Sequence, residues 1–312
     1  MPKVVAARNK REHKPKLGQH FLADDSAARR IVEALGDITE KTVLEIGPGR
    51  GAITSLLARR ARRLIGIEFD RVLAAQLRMK FALYPNVEII EGDVLAIDFG
   101  TLFGPKPGAS RPGLVQTPEP VRVVGNLPYY ITSDILLRLF SFRQCFDTIV
   151  IMVQKEVADR LAASPGSRDY GLLSETAQLY ARIENLFTLP PGAFAPPPKV
   201  HSSVVRLTME PKLEALHVPE EAFIQFLKLS FGQKRKTLWN NLKAEYPVAS
   251  LRAALQDAGV KPTMRAEALP LETKAQIFRA LASRKMCRSM PARTFPRVPS
   301  STDKCCICRI GR

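Results

Sequence analysis

Between residues 42 and 209, short runs of β-branched and aliphatic residues alternate with stretches of helical periodicity. This alternation is typical of βα units, in which helices cover a mostly parallel sheet. The predicted strands are Val43–Ile46, Leu64–Glu68, Val87–Ile90, Val121–Gly125, Thr148–Val153 and Ser203–Met209. The predicted helices between them are Ala52–Arg60, Arg71–Leu83 and Ile135–Phe140, and the Pro- and Gly-rich segment Gly104–Pro120 is expected to be a surface loop. The sequence therefore predicts an α/β fold.

Beyond Pro211 the strand pattern stops and helical spacing replaces it. Four apolar residues there fall on one face of a predicted helix: Phe223, Phe226, Leu227 and Phe231. Two further helices are expected, at about Val248–Ala258 and Leu271–Ala282, and Gly259 is a suitable stop for the first of them. These helices predict a small all-α domain after the α/β domain.

Basic residues concentrate at the two ends of the chain, which has a formal net charge of +17. Residues 1–16 contribute +5 and residues 283–312 contribute +7. Neither end shows periodicity, so they are expected to be an unstructured basic arm and tail. The α/β domain is then expected over residues 17–210 and the helical domain over residues 211–282. Clustered Lys and Arg gain affinity by releasing counterions from phosphates, so the charge favours a polyanionic partner.

The remaining composition points to an intracellular protein without a metal. No run approaches the ~20 apolar residues of a membrane span, so no membrane association is expected and the cytoplasm is the predicted location. The five cysteines form no disulfide framework. Three of them crowd together as Cys305, Cys306 and Cys308, without a nearby histidine, which is not the spacing of a zinc site.

A glycine-rich turn follows the first predicted strand, in the segment Val43–Gly51. Its Gly47 and Gly49 allow a ligand to approach the backbone closely. The G-x-G-x-G spacing is tighter than that of pyrophosphate-binding loops, which favours S-adenosylmethionine over a dinucleotide. Glu68 and Asp93 end the next two strands, where they are placed to accept hydrogen bonds from the ribose hydroxyls and the adenine amine.

The most specific motif is Gly125-Asn126-Leu127-Pro128-Tyr129, at the end of the fourth predicted strand. An aromatic amine is a poor nucleophile because its lone pair is delocalised into the ring. Acceptors such as the Asn126 side-chain oxygen and the Leu127 carbonyl would favour tetrahedral nitrogen during bond formation. Tyr129 would stack on a base that has left its helix. The motif therefore predicts methyl transfer to an amino group of a base.

Five segments in the same order give the chain its resemblance to a known family: Lys16–Leu22, Val43–Gly51, Asn126–Tyr129, Phe194–Val204 and Phe231–Leu238. The chain resembles the small-subunit ribosomal RNA adenine dimethyltransferases over roughly residues 10–282. The resemblance implies a Rossmann-like methyltransferase domain followed by a small helical domain. It also implies transfer of four methyl groups to two adjacent adenosines near the 3′ end of small-subunit rRNA, in the pre-30S particle. We expect a monomer that needs no metal.

The resemblance also assigns roles to particular residues. The cofactor contacts that it and the glycine motif imply are His20, Leu22, Gly47, Gly49, Glu68, Asp93 and Asn126. Family members often carry Asn at the position of His20. Phe194 matches the aromatic residue that sandwiches the flipped base, and the acceptor motif is Asn126, Leu127, Pro128 and Tyr129. The residues expected to hold RNA phosphates are Lys199, Lys234, Arg235 and Lys236.

Three alternatives remain open from the sequence. The related erythromycin-resistance methyltransferases modify a large-subunit rRNA adenine, although the three prolines before Lys199 favour the small-subunit type. A non-catalytic ribosome-assembly factor would retain the fold for binding alone, which the intact Asn126–Tyr129 motif argues against. A dehydrogenase fits least, because nothing after the fourth predicted strand resembles a site of hydride transfer.

Overall fold

The computed structural model describes residues 20–103 and 119–289. The strands are β1 (Phe21–Leu22), β2 (Thr42–Ile46), β3 (Arg63–Glu68), β4 (Val87–Glu91), β5 (Val121–Asn126), β6 (Phe146–Gln154), β7 (Ala181–Leu189), β8 (Phe194–Ala195) and β9 (Ser202–Met209). The helices are α1 (Asp25–Glu33), α2 (Thr54–Leu57), α3 (Arg71–Lys80), α4 (Phe99–Phe103), α5 (Thr132–Ser141), α6 (Lys155–Leu161), α7 (Leu172–Tyr180), α8 (Glu220–Ser230), α9 (Leu238–Leu242), α10 (Val248–Asp257) and α11 (Leu271–Ser289).

Seven strands form one sheet in the order β4-β3-β2-β5-β6-β9-β7. Strands β2 to β6 are parallel to one another, whereas β9 is antiparallel to both β6 and β7. The chain order reverses between β2 and β5, and ligands of open α/β sheets bind at such a reversal. Ile46 pairs with both Ile67 and Gly125, so β2, β3 and β5 end at one edge. This arrangement confirms the predicted α/β class.

All six predicted strands are present, and the structure adds three. Strand β7 has no continuous apolar run, because it is an edge strand with several half-exposed side chains. Strands β1 and β8 have two residues each and pair antiparallel with each other, Phe21 opposite Ala195 and Leu22 opposite Phe194. No local pattern identifies so short a strand. The pairing attaches the start of the described chain to the proline-rich motif.

Helix boundaries differ more from the prediction than strand boundaries do. The predicted helix Ala52–Arg60 shrinks to α2, because the chain is still turning at Gly51, whose φ is +79°. The helix expected at Leu271–Ala282 continues to Ser289, since no Gly or Pro interrupts it, so the expected unstructured tail does not begin at residue 283. The helices α1, α4, α6, α7 and α9 were not predicted. The basic arm, most of the predicted loop and the tail beyond Ser289 lie outside the described residues.

The sheet is covered on both faces by apolar side chains. Adjacent residues of β2 point to opposite faces, with Val43 in one buried cluster and Leu44 in the other. The cluster that contains Leu44 extends beyond the sheet into the helices after residue 211 and includes Phe226 and Phe278. Residues before and after residue 211 therefore share one apolar core. The predicted domain division near residue 211 stays a prediction. Among the described helices, none has the length and apolarity to cross a membrane.

Candidate active site

The turn after β2 is built from glycines with left-handed backbone conformations. The φ angles of Gly47 and Gly49 are +66° and +59°. A Cβ atom added to Gly49 would lie 2.8 Å from the ring of Phe21 in β1. A side chain at this position would therefore be strained and would displace the Phe21 ring. The tight turn leaves backbone exposed to a ligand at the carboxyl edge of the sheet.

Glu68 holds this turn in place from the end of β3. Its carboxylate accepts hydrogen bonds from the backbone N–H groups of Gly49, at 2.9 Å, and Asp70, at 3.0 Å. The side chain is 4% exposed. Each carboxylate oxygen keeps capacity for a further hydrogen bond. Glu68 thus has a structural role that the sequence did not predict, and it can still bind a ligand hydroxyl.

Two clefts open at this edge of the sheet and share Gly47. The larger cleft has a volume of about 210 Å³. It is lined by three of the predicted cofactor residues, Gly47, Glu68 and Asp93. Phe69 and Tyr130 also line it, with 62% and 67% of their surface exposed. The smaller cleft brings together the predicted residues Leu22, Gly47, Gly49 and Asn126. Six of the seven predicted cofactor residues therefore line the two clefts, whereas His20 lines neither.

Asn126 is the last residue of β5, and the NH2 group of its side chain is hydrogen-bonded within the protein. Its Nδ2 atom donates to the backbone carbonyl of His20 at 2.8 Å. Within residues 20–103 and 119–289, no group donates a hydrogen bond to its Oδ1 atom. The next peptide is anchored because Leu127 N–H donates to the Met152 carbonyl at 3.1 Å. The side-chain oxygen of Asn126 is therefore available as an acceptor beside the smaller cleft.

Tyr129 is held by contacts on two sides. Its hydroxyl shares a 2.7 Å hydrogen bond with Ser202, and the His20 ring lies beside its own, with centroids 5.9 Å apart and planes at 28°. Burial raises the pKa of Tyr129 above its usual value, and the Ser202 hydrogen bond opposes this increase. Tyr129 is thus kept neutral and oriented. Ser202 was not among the predicted site residues.

Two predicted acceptor-site residues are covered in the structure. Leu127 is 1% exposed, and Phe194, which pairs with Leu22, is 4% exposed. A base would reach either residue only after neighbouring groups move. The role of Phe194 in sandwiching the base, like the other residue roles, stays a prediction.

Glu45 is a buried acid that the sequence analysis did not select. It lies in β2, is 2% exposed and lines the smaller cleft. Burial raises its pKa to about 7; Thr54 opposes the increase, and the charge of Glu68 adds to it. The sequence could have indicated Glu45, because it lies inside the apolar run Val43–Ile46 and strands buried on both faces seldom contain acids.

We expect Glu45→Gln to flatten the dependence of stability on pH. The folded-state pKa of Glu45 is raised, so the unfolded chain releases this proton at lower pH than the folded chain does. The free energy of unfolding should therefore fall as the pH rises from about 4.5 to 7, by at most roughly 3 kcal/mol. Urea unfolding of both proteins at pH 5 and pH 8 measures this change. Equal pH dependence in the two proteins would contradict the assignment.

The four predicted RNA contacts lie on the surface, and two of them line neighbouring clefts. Lys199 lines one of them with His201, and Lys234 lines the other with Arg160 and Arg168. Lys234 and the two basic residues after it are exposed, and they form no ion pair within the described chain. Their charges are therefore free for phosphates.

Within the part of the chain that the structure describes, no group of three His, Cys, Asp or Glu side chains is arranged to hold a metal ion. The cysteine cluster at residues 305–308 lies outside that part.

A family model matches most of the chain and narrows the alternatives left open by the sequence. The model of the family described as ribosomal RNA adenine dimethylase matches residues 10–283 of the chain. The chain belongs to the ribosomal RNA adenine dimethylase family. This membership confirms the resemblance drawn from the five motifs, makes the chain a methyltransferase with S-adenosylmethionine as methyl donor, and excludes the dehydrogenase alternative.

Curated relatives match this dimethylase along nearly their whole length. The chain is 60% identical over 282 residues to the ribosomal RNA small subunit methyltransferase A of Koribacter versatilis, covering 90% of this chain and 99% of that protein. It is 55% identical over 274 residues to the protein of the same name from Acidobacterium capsulatum, covering 88% and 93%.

Solved structures show the same fold. The 23S rRNA methyltransferase ErmE aligns with a TM-score of 0.63 at 30% identity, covering 84% of this dimethylase and 99% of that chain. A dimethyladenosine transferase from Plasmodium falciparum aligns with a TM-score of 0.68 at 23% identity, covering 85% and 98%.

Proposed function

We propose that this dimethylase transfers four methyl groups to the N6 atoms of two adjacent adenosines near the 3′ end of small-subunit rRNA. It would act as a monomer on the pre-30S particle in the cytoplasm. The observation that carries the proposal is the Oδ1 atom of Asn126, which accepts no hydrogen bond from the described residues and lies at the edge of the sheet where the two ligand clefts meet. The high identity to relatives named for the small subunit supports this choice of substrate.

The chain's own residues fit the methyl donor. Glu68 and Asp93 line the larger cleft, where their carboxylates would accept hydrogen bonds from the ribose hydroxyls and the adenine amine. The smaller cleft has Gly47 and Gly49 at its wall, and a Cβ atom at Gly49 would collide with Phe21. Bound S-adenosylmethionine supplies an electrophilic methyl group on a sulfonium sulfur.

We expect Glu68→Ala to weaken binding of S-adenosylmethionine by ~1–3 kcal/mol, the usual cost of losing a charged hydrogen-bond partner. The same change frees the Gly49 N–H, which the Glu68 carboxylate now fixes. Glu68→Gln is the matched variant, because the amide keeps the shape and one acceptor oxygen. Titration calorimetry on folded protein measures the loss. Unchanged affinity in Glu68→Ala would remove this residue from the donor site.

The acceptor chemistry depends on groups that take hydrogen bonds from the adenosine N6 amine. Asn126 Oδ1 and the Leu127 carbonyl would hold its two hydrogens, which favours the tetrahedral nitrogen that forms during transfer. The amine becomes acidic only as it acquires positive charge, so no strong dedicated base is required. Tyr129 would support the flipped base from its fixed position, and Phe194 would cover it once the surrounding loop opens.

The RNA around the target would be held by phosphate contacts. The predicted residues are Lys199, Lys234, Arg235 and Lys236. Lys199 and Lys234 line two clefts that share Glu156 and Asp169, and Arg235 and Lys236 follow Lys234 on the surface. Phosphate contacts set register and supply affinity without selecting a base. Selection would therefore fall to the pocket around Asn126 and Tyr129.

A second candidate function is methylation of a large-subunit adenine, which the likeness to ErmE favours. The identity to ErmE is 30%, half that to the nearer small-subunit relative reported above. A non-catalytic assembly factor would not need the acceptor motif. We therefore retain the small-subunit substrate as the proposal.

In vitro methylation tests the substrate directly. The protein is incubated with isotopically labelled S-adenosylmethionine and either small-subunit precursors or large subunits, both from cells that lack rRNA dimethylation. Nuclease digestion and mass spectrometry should find dimethyladenosine only in the small-subunit 3′ fragment. Label in the large subunit alone would support the ErmE-like function, and RNA binding without label would support the assembly factor.

A further inference from the structure

A buried ion pair joins two helices that lie on either side of residue 211 in the chain. Glu175 belongs to α7 and Lys274 to α11, and both side chains are fully buried. The lysine also donates to the Leu269 carbonyl at 2.8 Å, and Tyr170 donates to the glutamate at 3.1 Å. Removing two charges from water generally costs about as much free energy as their attraction returns. A gain in stability therefore does not account for this pair.

The hydrogen bonds of the pair are incomplete. The Oε2 atom of Glu175 has no hydrogen-bond partner among the described residues. The Lys274 ammonium has three hydrogens but only two hydrogen-bond acceptors within the described chain, Glu175 and the Leu269 carbonyl. Two aromatic rings also lie near its Nζ atom, that of Phe231 with its centroid at 4.8 Å and that of Tyr170 at 5.4 Å. A desolvated ammonium attracts the face of such a ring, so Lys274 helps to fix where the Phe231 ring lies.

Phe231 begins the segment that carries three of the predicted RNA contacts, Lys234, Arg235 and Lys236. Phe231 and Lys234 line one cleft, whereas the buried Lys274 lies behind the Phe231 ring. The three basic side chains are exposed and form no ion pair within the described residues. Their direction toward RNA therefore depends on how the backbone of the segment is held.

Contacts at both ends hold the backbone of this segment. At its far end, the N–H of Leu238 donates to the Met264 carbonyl at 2.8 Å. At its near end, the ring of Phe231 lies against Lys274, and Glu175 holds that lysine from the α/β part of the chain. Residues on both sides of residue 211 thus set the position of the near end.

We infer that Lys274 and Glu175 are positioning residues for rRNA binding, which hold the basic segment 234–236 against the α/β part through the ring of Phe231. The inference rests on the proposed function, because that function makes the segment a phosphate contact. An apolar pair of similar size would fill the same space without attracting the ring. Such a replacement should keep the fold and lose part of the RNA contact.

The decisive variant replaces both charges, Lys274→Met together with Glu175→Leu. Both new side chains are apolar and of similar volume, so no unpaired charge is buried and the fold is kept. Phe231→Leu is a second variant, which removes the ring and leaves the ion pair in place. Lys212→Met is the matched control, because it removes a lysine from an exposed pair with Glu272.

Filter binding of a small-subunit precursor at several salt concentrations measures the RNA contact. We expect the double variant to bind roughly 5–10-fold more weakly at about 0.1 M salt, the contribution of one phosphate contact. The slope of log affinity against log salt should decrease by about 1. Phe231→Leu should lose a similar factor and add no further loss to the double variant, because both changes act through one contact. Affinity for S-adenosylmethionine should not change.

Hydrogen exchange separates positioning from general stability. Amides of residues 231–237 should exchange faster in the double variant than in wild type, and at the wild-type rate in Lys212→Met. Wild-type RNA affinity and salt slope in the folded double variant, or losses that add to those of Phe231→Leu, would overturn the inference. If the double variant does not fold, unchanged affinity and slope in Phe231→Leu would overturn it.

The inference and the proposed function can fail separately. If the wild-type protein binds the precursor without methylating it, while the double variant binds more weakly, the proposed function fails and the role of the ion pair stands.

Discussion

Asn126→Ala should slow methyl transfer by ~10²–10³, the scale observed when one preorganised charge-stabilising group is removed from an active site. The Oδ1 atom accepts no hydrogen bond within the described chain, so its capacity is reserved for a substrate. The interaction with tetrahedral nitrogen exists mainly in the transition state. RNA affinity should therefore barely change, because phosphate contacts supply most of it.

The rate is measured in single turnovers at saturating S-adenosylmethionine, because Asn126 also lines the smaller cleft. Asn185→Ala is the matched control, an exposed asparagine in β7 at the edge of the sheet. Tyr129→Ala should slow both methylation steps by loosening the base. A wild-type rate in Asn126→Ala would contradict the acceptor mechanism.

Lys274→Met should lower the free energy of unfolding by about 3–5 kcal/mol, the usual cost of leaving one member of a buried ion pair alone. Lys274 in α11 and Glu175 in α7 have fully buried side chains and form an ion pair. Lys274 Nζ also donates to the Leu269 carbonyl at 2.8 Å, and the hydroxyl of Tyr170 donates to Glu175 at 3.1 Å. Burial lowers the pKa of Lys274 and raises that of Glu175.

The loss in Lys274→Met should grow with pH. Without the lysine, the folded-state pKa of Glu175 rises further above its unfolded value. As the pH rises, Glu175 therefore ionises in the unfolded chain before it ionises in the folded chain, and the free energy of unfolding falls. Adding Glu175→Leu should restore most of the stability. Lys212→Met is the control, since the exposed Lys212–Glu272 pair should contribute less than about 1 kcal/mol. Urea unfolding measures all four proteins. Equal losses in Lys212→Met and Lys274→Met would contradict the prediction.

The sequence predicted the carboxyl edge of the sheet well, because parallel strands carry their end residues to one place. Gly47, Glu68 and Asp93 could be assigned to one site from strand ends alone, and the structure brings them together in one cleft. Local periodicity was sufficient there, since each residue is fixed by the strand that precedes it.

Contacts between distant segments were not predictable from the sequence. Strands β1 and β8 are too short to show a pattern, and their partners are more than 170 residues apart. Lys274 follows Glu272 in an ordinary helical sequence, which gives no sign that Glu175 meets it in the interior. The covered state of Phe194 likewise depends on packing between segments.

The ion pair between Lys274 and Glu175 limits how freely the helical domain can be exchanged between related proteins. Lys274 follows the predicted boundary near residue 211, and Glu175 precedes it. A chimera that joins residues 211–289 to a methyltransferase body without an acid at the Glu175 position would bury a lysine with no counterion. The unpaired lysine would destabilise such a hybrid even if each half came from a stable protein. Exchange of helical domains among relatives should therefore succeed only when both charges are transferred together.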